Sequence, residues 1–94
     1  MSYHTISLWT ADEWTDRLET TAREKFVPLI LENGASGVRM VRTGDTSFAV
    51  ITDYADKAAA DAAQERMANI RTQASDEMTI SMDDRYVGET FAQG

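Results

Sequence analysis

Residues 37–54 read GVRMVRTGDTSFAVITDY, and this run decides the fold. Two stretches rich in β-branched and aromatic residues flank the pair Gly44-Asp45. That pattern predicts a β-hairpin with strands over 37–43 and 46–54 and a two-residue turn. One arm sets Val38, Met40 and Arg42 against Arg39, Val41 and Thr43. The other sets Phe48, Val50, Thr52 and Tyr54 against Ser47, Ala49, Ile51 and Asp53.

Outward from the hairpin, each flank offers one helix and one strand. On the N-terminal side, 3–9 alternate as a strand, with His4, Ile6 and Leu8 on one face and Tyr3, Thr5, Ser7 and Trp9 on the other. Thr10-Ala-Asp-Glu13 has the form of a capping box and predicts a helix start. Trp14, Leu18, Thr21/Ala22, Phe26 and Leu29 then follow helical spacing. Pro28 predicts a kink or an interruption, and Asn33-Gly34 a stop. On the C-terminal side Asp56 reads as the cap of a second helix with the stripe Ala60, Ala63, Met67, Ile70, Ala74 and Met78. This helix is expected to end within 75–79. A last strand falls within 82–91, where Gly88 predicts a bulge or a close approach.

The order strand, helix, strand, strand, helix, strand is the ferredoxin-like βαββαβ plan. It gives one α+β domain over 1–94: a four-stranded antiparallel sheet with two helices on one face. Every strand carries large side chains on both parities, so the face without helices is apolar too. An exposed sheet face normally alternates to polar, and the pattern therefore predicts a homodimer.

Composition narrows the function. Nine Lys and Arg stand against sixteen Asp and Glu, a net charge of -7, which argues against nucleic acid and anionic membrane surfaces as partners. With no Cys there is no disulfide, thiol nucleophile or cysteine-built metal site. No apolar run is long enough to span a bilayer, and the first residues lack a signal-peptide pattern, so a cytoplasmic location is expected. Leu, Ile, Val and Phe make up only 17 of 94 residues, which predicts a thin core and again a partner chain. The acidic pairs Asp53/Asp56, Asp76/Glu77 and Asp83/Asp84 lack ligand spacing; Asp56 reads as a cap and Asp83/Asp84 as a solvated turn. No metal or other cofactor is expected, and no phosphate-binding glycine loop occurs.

Five side chains could carry chemistry. His4, the only histidine, could act as a base or sit as a satisfied strand residue. Tyr54 and Tyr86 could orient a substrate or donate a proton, or pack at an edge with the hydroxyl in water. Trp9, at a strand end, could stack on a flat ligand. Arg39, like Arg85, could hold a carboxylate or phenolate, or serve a surface ion pair.

The element order, the length and the final Tyr86-Val-Gly-Glu-Thr strand resemble the dimeric α+β barrel superfamily, which includes the antibiotic-biosynthesis monooxygenases. The resemblance implies a barrel made by two copies of the sheet. It also implies a cofactor-independent monooxygenase or isomerase acting on a small aromatic or enolisable compound between sheet and helices. In that case His4 or a tyrosine, Tyr54 foremost, handles the proton, Arg39 stabilises an anion, and Trp9 and Tyr86 contact the ligand. The alternative is a non-catalytic dimeric module that binds a small ligand or serves a stress-related role. A cavity of about 300 Å³ or more with converging polar groups favours a ligand site, and a filled interior the alternative.

Overall fold

A computed structural model describes residues 2–94. Their order is β1 (Tyr3–Ala11), α1 (Asp16–Thr21), a π turn (Ala22–Phe26), α2 (Val27–Glu32), β2 (Gly37–Arg42), β3 (Ser47–Tyr54), α3 (Lys57–Met78) and β4 (Ile80–Glu89). The four strands form one antiparallel sheet in the order β2-β3-β1-β4. The expected ferredoxin-like α+β fold is therefore the observed one, with both helical segments packed on a single face of the sheet.

The first helix begins later than the capping box suggested. Thr10 and Ala11 stay in β1: Ala11 pairs with Ile80, and its N–H donates to the Thr46 carbonyl at 2.8 Å. The cap is Thr15, whose hydroxyl accepts from the Leu18 N–H at 3.1 Å. Thr10 instead donates to Asp83 across the sheet at 2.6 Å. Two strand ladders on β1 outweigh one local capping motif.

At Pro28 the α-helix is interrupted, as expected, though the rod stays continuous. The backbone runs on from α1 through the π turn into α2, with the Val27 N–H reaching back to the Ala22 carbonyl. The widened turn absorbs the missing proline amide, which then lies in the first turn of α2, where no partner is required. Gly34 ends the segment at φ 113°, a backbone conformation that favours glycine.

The hairpin loop holds three residues, not two. The Thr43 N–H donates to the Ser47 carbonyl at 2.9 Å, leaving Gly44, Asp45 and Thr46 as the loop. The guanidinium of Arg42 donates to the carbonyls of Gly44 and Asp45 at 3.1 and 2.7 Å, which favours this longer closure.

Asp56 caps α3 as expected, its carboxylate accepting from the Ala59 N–H at 2.8 Å. The stripe packs onto the sheet, with Ala63, Met67, Ile70 and Ala74 buried. Thr79, in the left-handed conformation at φ 53°, ends the helix and turns the chain into β4. That strand starts two residues before the expected Met82. Leu8 opposes Asp84 and Trp9 opposes Met82, so the ladder bulges at Asp83. Asp83 and Asp84 are thus strand residues, not a turn. Gly88 pairs regularly with His4, and the space above it is open.

The register settles which strand face meets the helices. Trp9, Ala11, Phe48, Tyr54 and Ile80 join Leu18, Phe26, Ile30, Met67 and Ile70 in the core. The alternate residues His4, Ile6, Leu8, Arg39, Val41, Ile51 and Tyr86 lie on the open face.

Candidate functional site

Strand parity divides the five candidate residues. Trp9 and Tyr54 face the helices, whereas His4, Arg39 and Tyr86 face away from them. The sheet lies between the two sets.

On the helix side, Trp9 is buried and its ring stacks on Phe48 at 6.2 Å between centroids and 10° between planes. Trp14 meets Phe48 edge-on at 5.8 Å. The indole N–H of Trp9 donates to the Ser7 hydroxyl at 2.7 Å. Trp9 therefore offers a ligand its ring and not its donor. A cavity of about 60 Å³ lies between sheet and helices, walled by Trp9, Phe26, Phe48 and Ile70, with Thr5, Ser7, Thr52 and Tyr54 supplying hydroxyls from the sheet. It falls short of the 300 Å³ expected of a site for a drug-sized ligand, so it can take only a small group as it stands.

Its polar end is made by Tyr54, Arg71 and Arg85. These three, with Thr5 and Met67, also line an adjoining recess of about 160 Å³. Tyr54 is only 2% exposed, and burial raises its phenol above the usual value of 10.0. The positive charges of Arg71 and Arg85, and the Thr5 hydroxyl, pull it partly back. Arg71 is half-buried on α3, and burial, with the like charge of Arg85, holds it below the usual guanidinium range. The site thus presents a neutral phenol beside two cations: it can donate a proton to a substrate oxygen and stabilise negative charge that develops there.

Arg85 was weighed from sequence, but Arg71 was missed, because a charged residue on a helix reads as solvated surface. A signal existed. Arg71 lies four residues after Met67 and three before Ala74, on the edge of the buried stripe.

On the open face, His4 Nδ1 donates to the Asp53 carboxylate at 2.7 Å. With that tautomer the neutral ring's Nε2 accepts from the Thr90 hydroxyl, so the ring is gripped at both nitrogens. His4, Arg39, Asp53, Tyr86 and Thr90 border an open trough of about 940 Å³. Arg39 and Tyr86 are exposed there. The neighbouring Asp84 carboxylate raises Tyr86 above its usual value. Among the described residues, no three His, Asp or Glu side chains gather as metal ligands. No helix among the described residues is long and apolar enough to cross a membrane.

No family model matches the chain, and no curated protein matches it in sequence. Solved structures do match it. SnoaB, a cofactor-independent oxygenase from Streptomyces nogalater, aligns with a TM-score of 0.74 at 12% identity, over 98% of this chain and 95% of its own. HapK from Hahella chejuensis aligns at 0.73 and 16% identity, over 100% and 96%. An ethyl tert-butyl ether d (ethd) family protein from Bacillus halodurans aligns at 0.71 and 14%, over 97% and 100%. At these identities the likeness is one of fold, and the chain shares the ferredoxin-like α+β architecture of these proteins along its whole length.

Proposed function

We propose that the chain is a cofactor-independent monooxygenase or isomerase that ionises a small aromatic or enolisable compound in the cavity between sheet and helices. One observation carries this reading: the buried phenol of Tyr54 stands beside two guanidiniums at the polar end of an aromatic-walled cavity. A substrate oxygen hydrogen-bonded to Tyr54 gains negative charge as the substrate's acidic C–H or O–H gives its proton to water at the mouth of the site, and the cations stabilise that charge. Trp9 and Phe48 give the flat wall. In an oxygenase the carbanion then gives its electrons to dioxygen and bonds to it; the resulting peroxide takes up a proton and loses water, leaving one oxygen atom on the substrate as a carbonyl. In an isomerase a proton returns at another carbon. SnoaB, which has this fold, is a cofactor-independent oxygenase, and that supports the reading.

The protein works in the cytoplasm as a homodimer whose open sheet faces meet, and His4, Arg39 and Tyr86 belong to that interface. The small size of the inner cavity favours a second reading, a non-catalytic dimeric module that binds a small ligand.

Solvent deuterium exchange separates the two. Anaerobic incubation of a panel of small 1,3-diketones and phenols in heavy water should show protein-dependent exchange at the acidic carbon, and Tyr54→Phe should slow it by about 10² or more. Oxygen uptake on admitting air marks the oxygenase; exchange without uptake marks the isomerase. Binding without exchange across the panel would overturn catalysis and leave the binding module.

A further inference from the structure

Arg71 differs from the other cations of the chain. Lys25 pairs with Glu77 at 2.6 Å, Lys57 with Asp61 at 2.9 Å and Arg23 with Glu19 at 3.9 Å. Arg42 lies over the Trp14 ring at 4.3 Å and also holds two loop carbonyls. Arg66 donates to the Asn33 carbonyl at 3.3 Å. Arg17, Arg39 and Arg85 are exposed, so water can serve them. Arg71 is half-buried and, among the described residues, makes neither an ion pair nor a side-chain hydrogen bond; its charged neighbour is another arginine. In a chain with sixteen acids and nine bases, an acidic partner was readily available. The one carboxylate lining the recess, Asp61, is engaged by Lys57.

We infer that the recess between Arg71 and Arg85 is the seat of a permanent carboxylate on the substrate, distinct from the oxygen that meets Tyr54; two cations against one carboxylate leave a net positive charge for that oxygen. This deepens the proposed function and rests on it for the reaction, but not for the binding. Two guanidiniums with free donors suit the two oxygens of a carboxylate, and charge-assisted bonds of this kind are the strong ones. The recess of about 160 Å³ also borders Tyr3, Met67 and Val87, so it has apolar wall beside its charged end. An apolar cavity of about 150 Å³ holds a benzene-sized molecule. The substrate class is therefore a small aromatic or enolisable carboxylic acid, its anion on the arginines and its reactive oxygen toward Tyr54. Burial and the like charge of Arg85 disfavour the charged form of Arg71, and a carboxylate against it offsets both.

The test is calorimetric titration with benzoate and pyruvate, each against its neutral amide, on the intact protein. The carboxylates should bind about ten- to hundredfold tighter than the amides, and benzoate should shift the side-chain Nε–H signals of Arg71 and Arg85 in NMR spectra. Arg71→Met and Arg85→Met should each abolish the preference, and Arg71→Lys should restore part of it. The thermal midpoint of Arg71→Met should hold or rise, since an unpaired half-buried charge is removed.

Equal binding of acid and amide, or no saturable binding of either acid, would overturn the inference. So would an Arg71→Met variant that loses both stability and dimer, because the arginine would then answer a carboxylate of the protein. Exchange or oxygen uptake on neutral compounds, with no preference for acids, would leave the proposed function standing and this inference overturned. Acid preference without exchange would do the reverse.

Discussion

Tyr54 shows how one residue's surroundings set both its chemistry and its effect on stability. At its usual value of 10.0 the phenol is already protonated at neutral pH, as a proton donor must be, and burial raises it further. The same shift has a sign in stability. Below the usual tyrosine range, folded and unfolded chains both carry the proton. Above it, the unfolded chain releases the proton first, so stability falls as pH rises until the folded phenol ionises too. The urea midpoint of the wild type should therefore drop between about pH 9.5 and 11, and Tyr54→Phe should flatten much of that drop. Tyr86 is raised as well, by Asp84, so a smaller drop of the same sign should survive in the variant. An unchanged slope in Tyr54→Phe would mean that Tyr54 is not held protonated. Tyr54 and Trp9 could be picked out of the sequence as polar-tipped and flat residues near strand ends. Their separation from His4, Arg39 and Tyr86 could not. Both faces of each strand are apolar, and only the register, with Tyr3 opposite Tyr54 and Ile6 opposite Tyr86, tells them apart.

At the scale of elements, the two helix starts make a contrast. Asp56 was legible because no strand competes for it. Thr10 was misread because a capping motif is local, whereas the hold of β3 and β4 on β1 comes from residues dozens of positions away. Thr15→Ala should cost about 1 kcal/mol, as loss of a cap does. Thr10→Ala removes one exposed hydrogen bond to Asp83 and should cost less than about 0.5 kcal/mol. Denaturant midpoints of the two variants check this, and the reverse order would restore the capping box. The bulge at Asp83 left no comparable trace in the sequence, since it is a response to a neighbour's geometry; Pro28 signalled that the helix would be disturbed, but not that the disturbance takes the form of a π turn. Small residues on α3 were legible as a close-packing stripe, and Ala63, fully buried, bears it out. Ala63→Leu should destabilise the fold by about 1–3 kcal/mol through overpacking; thermal unfolding at or above the wild-type midpoint would contradict that packing.

For the whole molecule, the open sheet face is the feature to be explained. Ile6 is 39% exposed, Leu8 37%, Val41 45% and Tyr86 53%, and Phe91 just beyond β4 is 94% exposed. An apolar face of this kind is what a second sheet covers in a two-fold barrel. His4, held between Asp53 and Thr90, ties β1 and β3 to the segment that carries Phe91. A dimer built on this face leaves the helix-side cavity of each copy free, so the proposed sites stay separate and the barrel stiffens the sheet that carries Tyr54 and Arg85. The most direct measurement is the molar mass by light scattering at micromolar concentration, read together with the unfolding midpoint across a dilution series. Two chains of 10.5 kDa should give about 21 kDa, with a midpoint that falls on dilution. A stable species of 10.5 kDa with a midpoint independent of concentration would contradict the dimeric barrel.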